Sequence, residues 1–68
     1  MKQYRINKET KADGRTIPQT GPLTLDEAKS FIQKFRHDPD SRISPDGRSV
    51  YRASTWYRPA ATLWIEEI

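Results

Sequence analysis

The apolar positions of this chain recur with two spacings. Residues 2–7 alternate, with Tyr4 and Ile6 on one side, and residues 61–68 alternate in the same way. Alternation of apolar and polar positions is typical of half-buried strands. The segment 49–58 is rich in aromatic and β-branched residues, so we interpret it as one further strand that forms a hairpin with the last one.

A helical spacing appears only in the middle of the chain. Thr24 and Glu27 stand three residues apart, as in a capping box, where each side chain accepts a hydrogen bond from the other residue's backbone amide. Asp38 precedes Pro39, and a residue before proline is disfavoured in the α region, so the helix is predicted to end there. One apolar stripe follows the cap: Leu25, Ala28, Phe31, Ile32 and Phe35.

The connecting segments contain turn residues. Residues 8–14 are polar and end in the turn pair Asp13-Gly14, and residues 15–18 form a short segment with β-branched residues. We expect a loose hairpin here, and the sequence does not decide whether residues 15–18 form its second strand. Residues 44–47 have the composition of a type I turn followed by a glycine with positive φ. We expect this turn to fold Ile43 back beside Val50.

These elements predict an α+β fold, with a single amphipathic helix packed on one face of a small antiparallel sheet of three to four strands. The order along the chain is β-(β)-α-β-β, and residues 1–68 form one domain. A single helix covers only one side of the sheet. We therefore expect the opposite sheet face to remain open.

Composition adds three constraints. The chain has 68 residues and no cysteine, so it lacks disulfides, and a core of this size gives little stability unless a second copy or a partner adds buried area. The net charge of +3 is divided between a basic start and an acidic end, which predicts that the first and last strands pair. No apolar run is long enough for secretion or for a membrane span, so we expect a soluble, cytoplasmic protein without a membrane partner.

The open sheet face is the predicted binding surface, and the facing of segment 49–58 has two alternatives. If Tyr51 and Tyr57 point towards the helix, then Arg52, Trp56 and Arg58 point outwards beside Trp64. If Val50 points inwards instead, Trp56 lies under the helix and both tyrosines lie outside with Trp64. Either way, rings and guanidinium groups supply stiff contact surfaces of the kind enriched at interfaces.

The predicted function is that of a non-catalytic module that binds a protein partner, or a copy of itself. The alternative is nucleic-acid binding, with bases stacked on the same rings and phosphates held by a basic hairpin. The binding residues in both cases are Arg52, Trp56, Tyr57, Arg58 and Trp64, and the possible phosphate contacts are Lys8, Lys11, Arg15 and Arg48.

Catalytic, metal and cofactor sites are not expected. A short chain rarely encloses the water-poor pocket that acid-base chemistry needs, and the sequence has no phosphate-binding glycine loop. His37 with Asp38 and Asp40 is explained by the helix end, where histidine commonly contacts the last carbonyls. We predict no metal, no cofactor and no small-molecule substrate.

Overall fold

The computed structural model describes residues 2–68 as one helix packed on a five-stranded antiparallel sheet. The helix α1 continues into a short 3₁₀ helix, and the strands are numbered along the chain. Their bounds are β1 Tyr4–Thr10, β2 Thr16–Pro18, α1 Leu25–Gln33, 3₁₀ helix Lys34–His37, β3 Ser41–Ile43, β4 Ser49–Arg52 and β5 Ala61–Glu67.

The α+β class with one α-helix is confirmed, but the strand count and order differ from the prediction. The sheet has the order β2-β1-β5-β4-β3, with five strands where three or four were expected. Residues 16–18 do form a strand, which pairs with β1. Residues 41–43 form an additional edge strand that pairs with β4, and the pattern of three residues was too short to predict it. The chain order is therefore β-β-α-β-β-β.

The pairing of the first and last strands is confirmed. β1 and β5 are antiparallel neighbours over their whole length, from Tyr4 opposite Glu67 to Thr10 opposite Ala61. Arg5 lies opposite Glu66, and its Nε donates to Glu66 Oε1 at 2.7 Å. The opposite charges of the two chain ends thus meet across two inner strands, near the end of their ladder.

The core lies between the helix and one sheet face. Its fully buried members come from α1 and from the three central strands, and they form one cluster of Ile6, Ala28, Ile32, Val50 and Leu63. Because side chains alternate along a strand, the residues on either side of these positions point to the other face. The helix therefore covers one face only, as the sequence predicts.

The capping box at the start of α1 is present. Thr24 Oγ1 accepts the Glu27 amide at 3.1 Å, and Glu27 Oε1 accepts the Thr24 amide at 2.9 Å. The predicted stop is also confirmed: the last turn tightens to a 3₁₀ helix, and Asp38 then turns extended ahead of Pro39.

We expect Thr24→Ala to lower the free energy of unfolding by about 1 kcal/mol, because the Glu27 amide loses its acceptor. Urea titration followed by circular dichroism measures this loss. Thr24→Ser is the matched control, since serine keeps the hydroxyl and should unfold close to wild type. An alanine variant as stable as the serine variant would contradict the assigned role of the cap.

The turn that joins β3 and β4 is confirmed, and it places Ile43 opposite Val50. The Gly47 amide donates to the Ser44 carbonyl at 3.0 Å, and Gly47 has φ of 72°. Glycine suits this position because side chains disfavour positive φ. The short edge strand therefore follows from its turn.

The prediction of one strand over residues 49–58 is wrong. β4 ends at Arg52, because its neighbour β5 begins only at Ala61 and Pro59 has no amide proton to donate to a ladder. On the other side, the last contact with the β3 segment is the Ala53 amide on the Asp40 carbonyl, at 2.8 Å. Residues 53–60 consequently leave the sheet as a loop.

Candidate interaction surface

Three connections meet at one end of the sheet. The last row of the sheet carries Thr10, Ala61, Arg52 and Ser41, in that order across four strands. Beyond it the chain continues into segments 11–15, 38–40 and 53–60, which we call the loop end. The Lys11 amide donates to the Ala60 carbonyl at 3.1 Å and so joins two of these segments. Loops on a rigid scaffold are frequent binding sites.

The loop 53–60 is closed by a tight turn, Thr55–Arg58, which we call the aromatic turn. The Thr55 amide donates to the Arg58 carbonyl at 2.9 Å, and the Arg58 amide donates back at 3.4 Å. Trp56 and Tyr57 occupy the two positions between them. Their side chains project from the surface, and their exposed fractions are 95% and 62%.

The exposed rings are ordered by each other and by Arg58. The Trp56 and Tyr57 centroids lie 5.3 Å apart with an interplanar angle of 78°, an edge-to-face arrangement. Arg58 Cζ lies 5.4 Å from the Tyr57 centroid, in cation–π range. Tyr57 thus has both of its chain neighbours close to its ring, and Trp56 is the more exposed of the two aromatic residues.

Asp38 anchors the aromatic turn to the end of the 3₁₀ helix. Its Oδ2 accepts Arg58 Nη2 at 3.3 Å and the Ser41 hydroxyl at 2.9 Å, while Oδ1 accepts the Asp40 amide at 2.9 Å. These donors, the Asp40 amide foremost, hold the pKa of Asp38 below its ordinary value. Asp38 is therefore a charged anchor at neutral pH.

Three other carboxylates share this behaviour. Backbone and hydroxyl donors in the turns lower the pKa values of Asp13 and Asp46, and Arg5, with Asn7, lowers the pKa of Glu66. A carboxyl whose pKa is depressed by folding stabilises the native state above its ordinary pKa, about 3.8 for Asp and 4.5 for Glu. That stabilisation is lost as pH falls through the lower, folded value.

Thermal stability is accordingly expected to be flat from about pH 7 to pH 5 and to decline below about pH 4. Circular dichroism melts over this range measure it. Asp38→Asn should lower stability at neutral pH and flatten the acid decline. Asp26→Asn is the control, since the Asp26 carboxylate accepts no hydrogen bond within residues 2–68. If the loss of stability in acid is reduced equally in both variants, the stabilising role assigned to the Asp38 carboxylate is contradicted.

The structure divides the predicted binding residues among three places. Trp56, Tyr57 and Arg58 stand together in the aromatic turn, as described. Arg52 shares its strand face with the buried Val50, on the helix side of the sheet, and Trp64 pairs with Asn7 on the opposite face. The expected common face for Arg52, Trp56, Arg58 and Trp64 is therefore wrong, because Arg52 points to the helix side with Val50 and because β4 ends before Trp56 and Arg58.

The basic residues also separate. Lys11 and Arg15 are exposed in the turn that follows β1, and Lys8 is half-buried on β1 itself. Arg48 lies at the far end of the sheet, where its carbonyl accepts the Ile65 amide at 3.0 Å. Only Lys11 and Arg15 thus belong to the loop end.

The uncovered sheet face carries Trp64 and Tyr51, as the second of the two facings predicted. Tyr51 is 41% exposed, and Trp64 is half-buried beside Asn7, which is itself only 1% exposed. That alternative also placed Trp56 under the helix, which is wrong. Val50 points inwards as it required, but the chain has left the sheet before Trp56 is reached.

No known protein family, curated protein or solved structure matches this chain significantly. The functional argument therefore depends on its own residues. Within residues 2–68 no three His, Asp or Glu side chains group as metal ligands. No helix in this part of the chain is long and apolar enough to cross a membrane.

Sequence reasoning named the aromatic residues but missed their anchor. The sequence explains Asp38 only as part of a helix end, while in the structure its carboxylate binds Arg58 across twenty positions. Asp-Pro after a helix is an ordinary stop signal, so nothing in the pattern indicated a second use. Such a long-range ion pair emerges only when the loops are brought together.

Proposed function

We propose that this chain is a non-catalytic module that binds a protein partner through Trp56 and Tyr57 of the aromatic turn. The observation that carries the proposal is an indole that is 95% exposed on an anchored turn. Burial of a large apolar side chain contributes about 2 to 3 kcal/mol of free energy. Because Trp56 is exposed in this fold, this contribution is still available for binding. Trp and Tyr are the residues in which binding energy most often concentrates.

The anchoring of the turn supports this use. A loop that must be ordered on binding loses affinity, whereas a preorganised one does not. Here the turn is closed by paired backbone hydrogen bonds, and Arg58 connects it to Asp38. Of the four buried side-chain polar atoms without a hydrogen-bond partner in residues 2–68, two lie in the turn, on Thr55 and Arg58, and a third lies just before the loop, on Arg52. Unsatisfied groups of this kind are rare in folded proteins.

Charge favours a protein over a nucleic acid. The segments of the loop end carry three basic residues, Lys11, Arg15 and Arg58, and three acidic ones, Asp13, Asp38 and Asp40. A phosphate-binding surface has a clustered excess of positive charge, which this balance does not provide. Mixed charge around a central aromatic group is instead typical of a protein interface with a polar rim.

The non-catalytic part of the proposal is supported by the carboxylates. Those with shifted pKa values, Asp13, Asp38, Asp46 and Glu66, are all shifted downwards by hydrogen bonds that build turns or join strands. General acid catalysis at neutral pH needs a carboxyl with a raised pKa. These four groups are therefore used structurally.

One observation favours nucleic acid as a second candidate function. The hydrogen bond from Lys11 to Ala60 brings the basic turn against the loop that carries the rings, so bases stacked on Trp56 could be accompanied by phosphates on Lys11 and Arg15. In that case affinity falls steeply with salt, and each lost phosphate contact lowers the log-log salt slope by about one.

Affinity capture from a lysate of the source cell separates the two functions. Tagged wild-type chain, Trp56→Ala and Tyr51→Ala are compared with and without nuclease. We expect a specific protein that survives nuclease, is retained by Tyr51→Ala and is lost with Trp56→Ala. If the bound material disappears after nuclease treatment, the second function, nucleic-acid binding, is supported. If wild type, Trp56→Ala and Tyr51→Ala all capture the same protein equally well, the proposal is overturned.

A further inference from the structure

The uncovered sheet face has an arrangement of residues that fits a second copy of itself. Strand register places Glu9, Thr62, Tyr51 and Arg42 opposite one another in a single row across β1, β5, β4 and β3. Thr16 of the edge strand β2 continues the row beyond Glu9, so the two charges of the row, a carboxylate and a guanidinium, lie on β1 and β3. With strands about 4.8 Å apart, these two charges are separated by roughly 14 Å.

Neither charge at the ends of the row is used inside the chain. Glu9 and Arg42 are both exposed, and within residues 2–68 neither forms an ion pair or a side-chain hydrogen bond. The next pair on this face, Arg5 with Glu66, is already neutralised internally. These two unpaired charges thus lie on β1 and β3, at equal distances on either side of the boundary between β4 and β5.

We propose that two copies of this chain pack face to face through this surface, about a two-fold axis that runs along the strands between β4 and β5. Rotation about such an axis exchanges the two sides of the row. Glu9 of one copy then faces Arg42 of the other, and the reverse pair forms at the same time. A two-fold interface requires this self-complementarity.

Side-chain size fits the same axis. Within the row, the exchange places the Tyr51 ring against the small side chain of Thr62 in the other copy. In the neighbouring row Trp64 lies opposite Ser49, so the same rotation places the indole of one copy against the serine of the other. Large groups therefore meet small ones in both rows, and the aromatic groups lie at the centre with charges at the rim.

The size of the face predicts a weak dimer. The four strands that this axis exchanges cover a width of about 19 Å and a length of about 20 Å, so the face is on the order of 400 Å² per copy, about half the area of a standard specific interface. Dissociation constants of such interfaces lie in the micromolar to millimolar range. A small single-core domain nevertheless gains stability from association.

Charge exchange tests the proposal. Sedimentation equilibrium of the full chain from about 10 µM to 1 mM measures the dissociation constant. Glu9→Arg and Arg42→Glu should each weaken the dimer about tenfold or more, because symmetry counts every change twice. The double variant restores opposite charges and should recover wild-type association. Arg36→Glu, the same charge change on the exposed 3₁₀ helix, is the control and should have no effect.

A second readout reports on the interface directly. In a Trp56→Phe background Trp64 is the only tryptophan, and its emission should shift to the blue as concentration rises. A chain that stays monomeric at about 1 mM, or a dimer that is indifferent to both single charge changes, would overturn the proposal. Loss of the dimer on Trp56→Ala would also overturn it and would assign self-association to the aromatic turn.

Discussion

Replacing Trp56 with alanine is expected to weaken binding of the protein partner by about 2 kcal/mol or more, roughly 30-fold in Kd. The indole is almost wholly exposed in the free chain, so its whole surface is available for transfer into a partner pocket. The turn beneath it is held by Arg58 and Asp38, so little ordering cost offsets this gain.

Isothermal titration calorimetry with the captured protein measures the effect. Trp56→Phe should recover part of the affinity because it retains an aromatic surface, and Tyr51→Ala removes an exposed ring from a different face and should bind as wild type. Because the Trp56 side chain is 95% exposed, the melting temperature of Trp56→Ala should be unchanged. Unchanged affinity in this variant would contradict the assignment of the aromatic turn.

Ile6→Ala is expected to destabilise the domain by about 3 kcal/mol, the second large effect. Ile6 is completely buried in the central strand β1 and belongs to the single core cluster. A domain of this size has a total stability of about 3 to 10 kcal/mol. The loss is therefore about a third of the total or more, and the urea midpoint should fall in proportion.

Urea denaturation and the dispersion of amide NMR signals measure this loss. Ile6→Val keeps most of the side chain and should cost only about 1 kcal/mol. Ile17→Ala, on the neighbouring strand β2, is the matched control because that isoleucine is 49% exposed, so its loss should be about 0.5 kcal/mol or less. Equal losses in Ile6→Ala and Ile17→Ala would contradict the assigned core.

The two proposed surfaces are separate and make distinct uses of the same small fold. The aromatic turn lies at the loop end and is tied by Arg58 to Asp38, on the helix side. The row from Glu9 to Arg42 lies on the uncovered face. Variants at one surface should consequently leave binding at the other unchanged, which allows each proposal to fail independently.

Much of the local structure was determined by the sequence itself. The capping box at Thr24, the stop before Pro39 and the positive φ at Gly47 each depend on residues that are neighbours in the chain. Alternation around Ile6 likewise marked a strand with one buried side. These features are predictable because their energies come from contacts within a few positions.

The tertiary structure alone decided where β4 ends and what surrounds Trp56. A strand continues only while its neighbours offer hydrogen-bond partners, and here both β3 and β5 run out beside Arg52. The β propensity of the residues after Arg52 predicts a longer strand. Propensity is a local property of the sequence, so it gives no information on where the neighbouring strands end. The ion pair of Arg58 with Asp38 and the row from Glu9 to Arg42 likewise join residues far apart in the chain, whose proximity depends on sheet order and register.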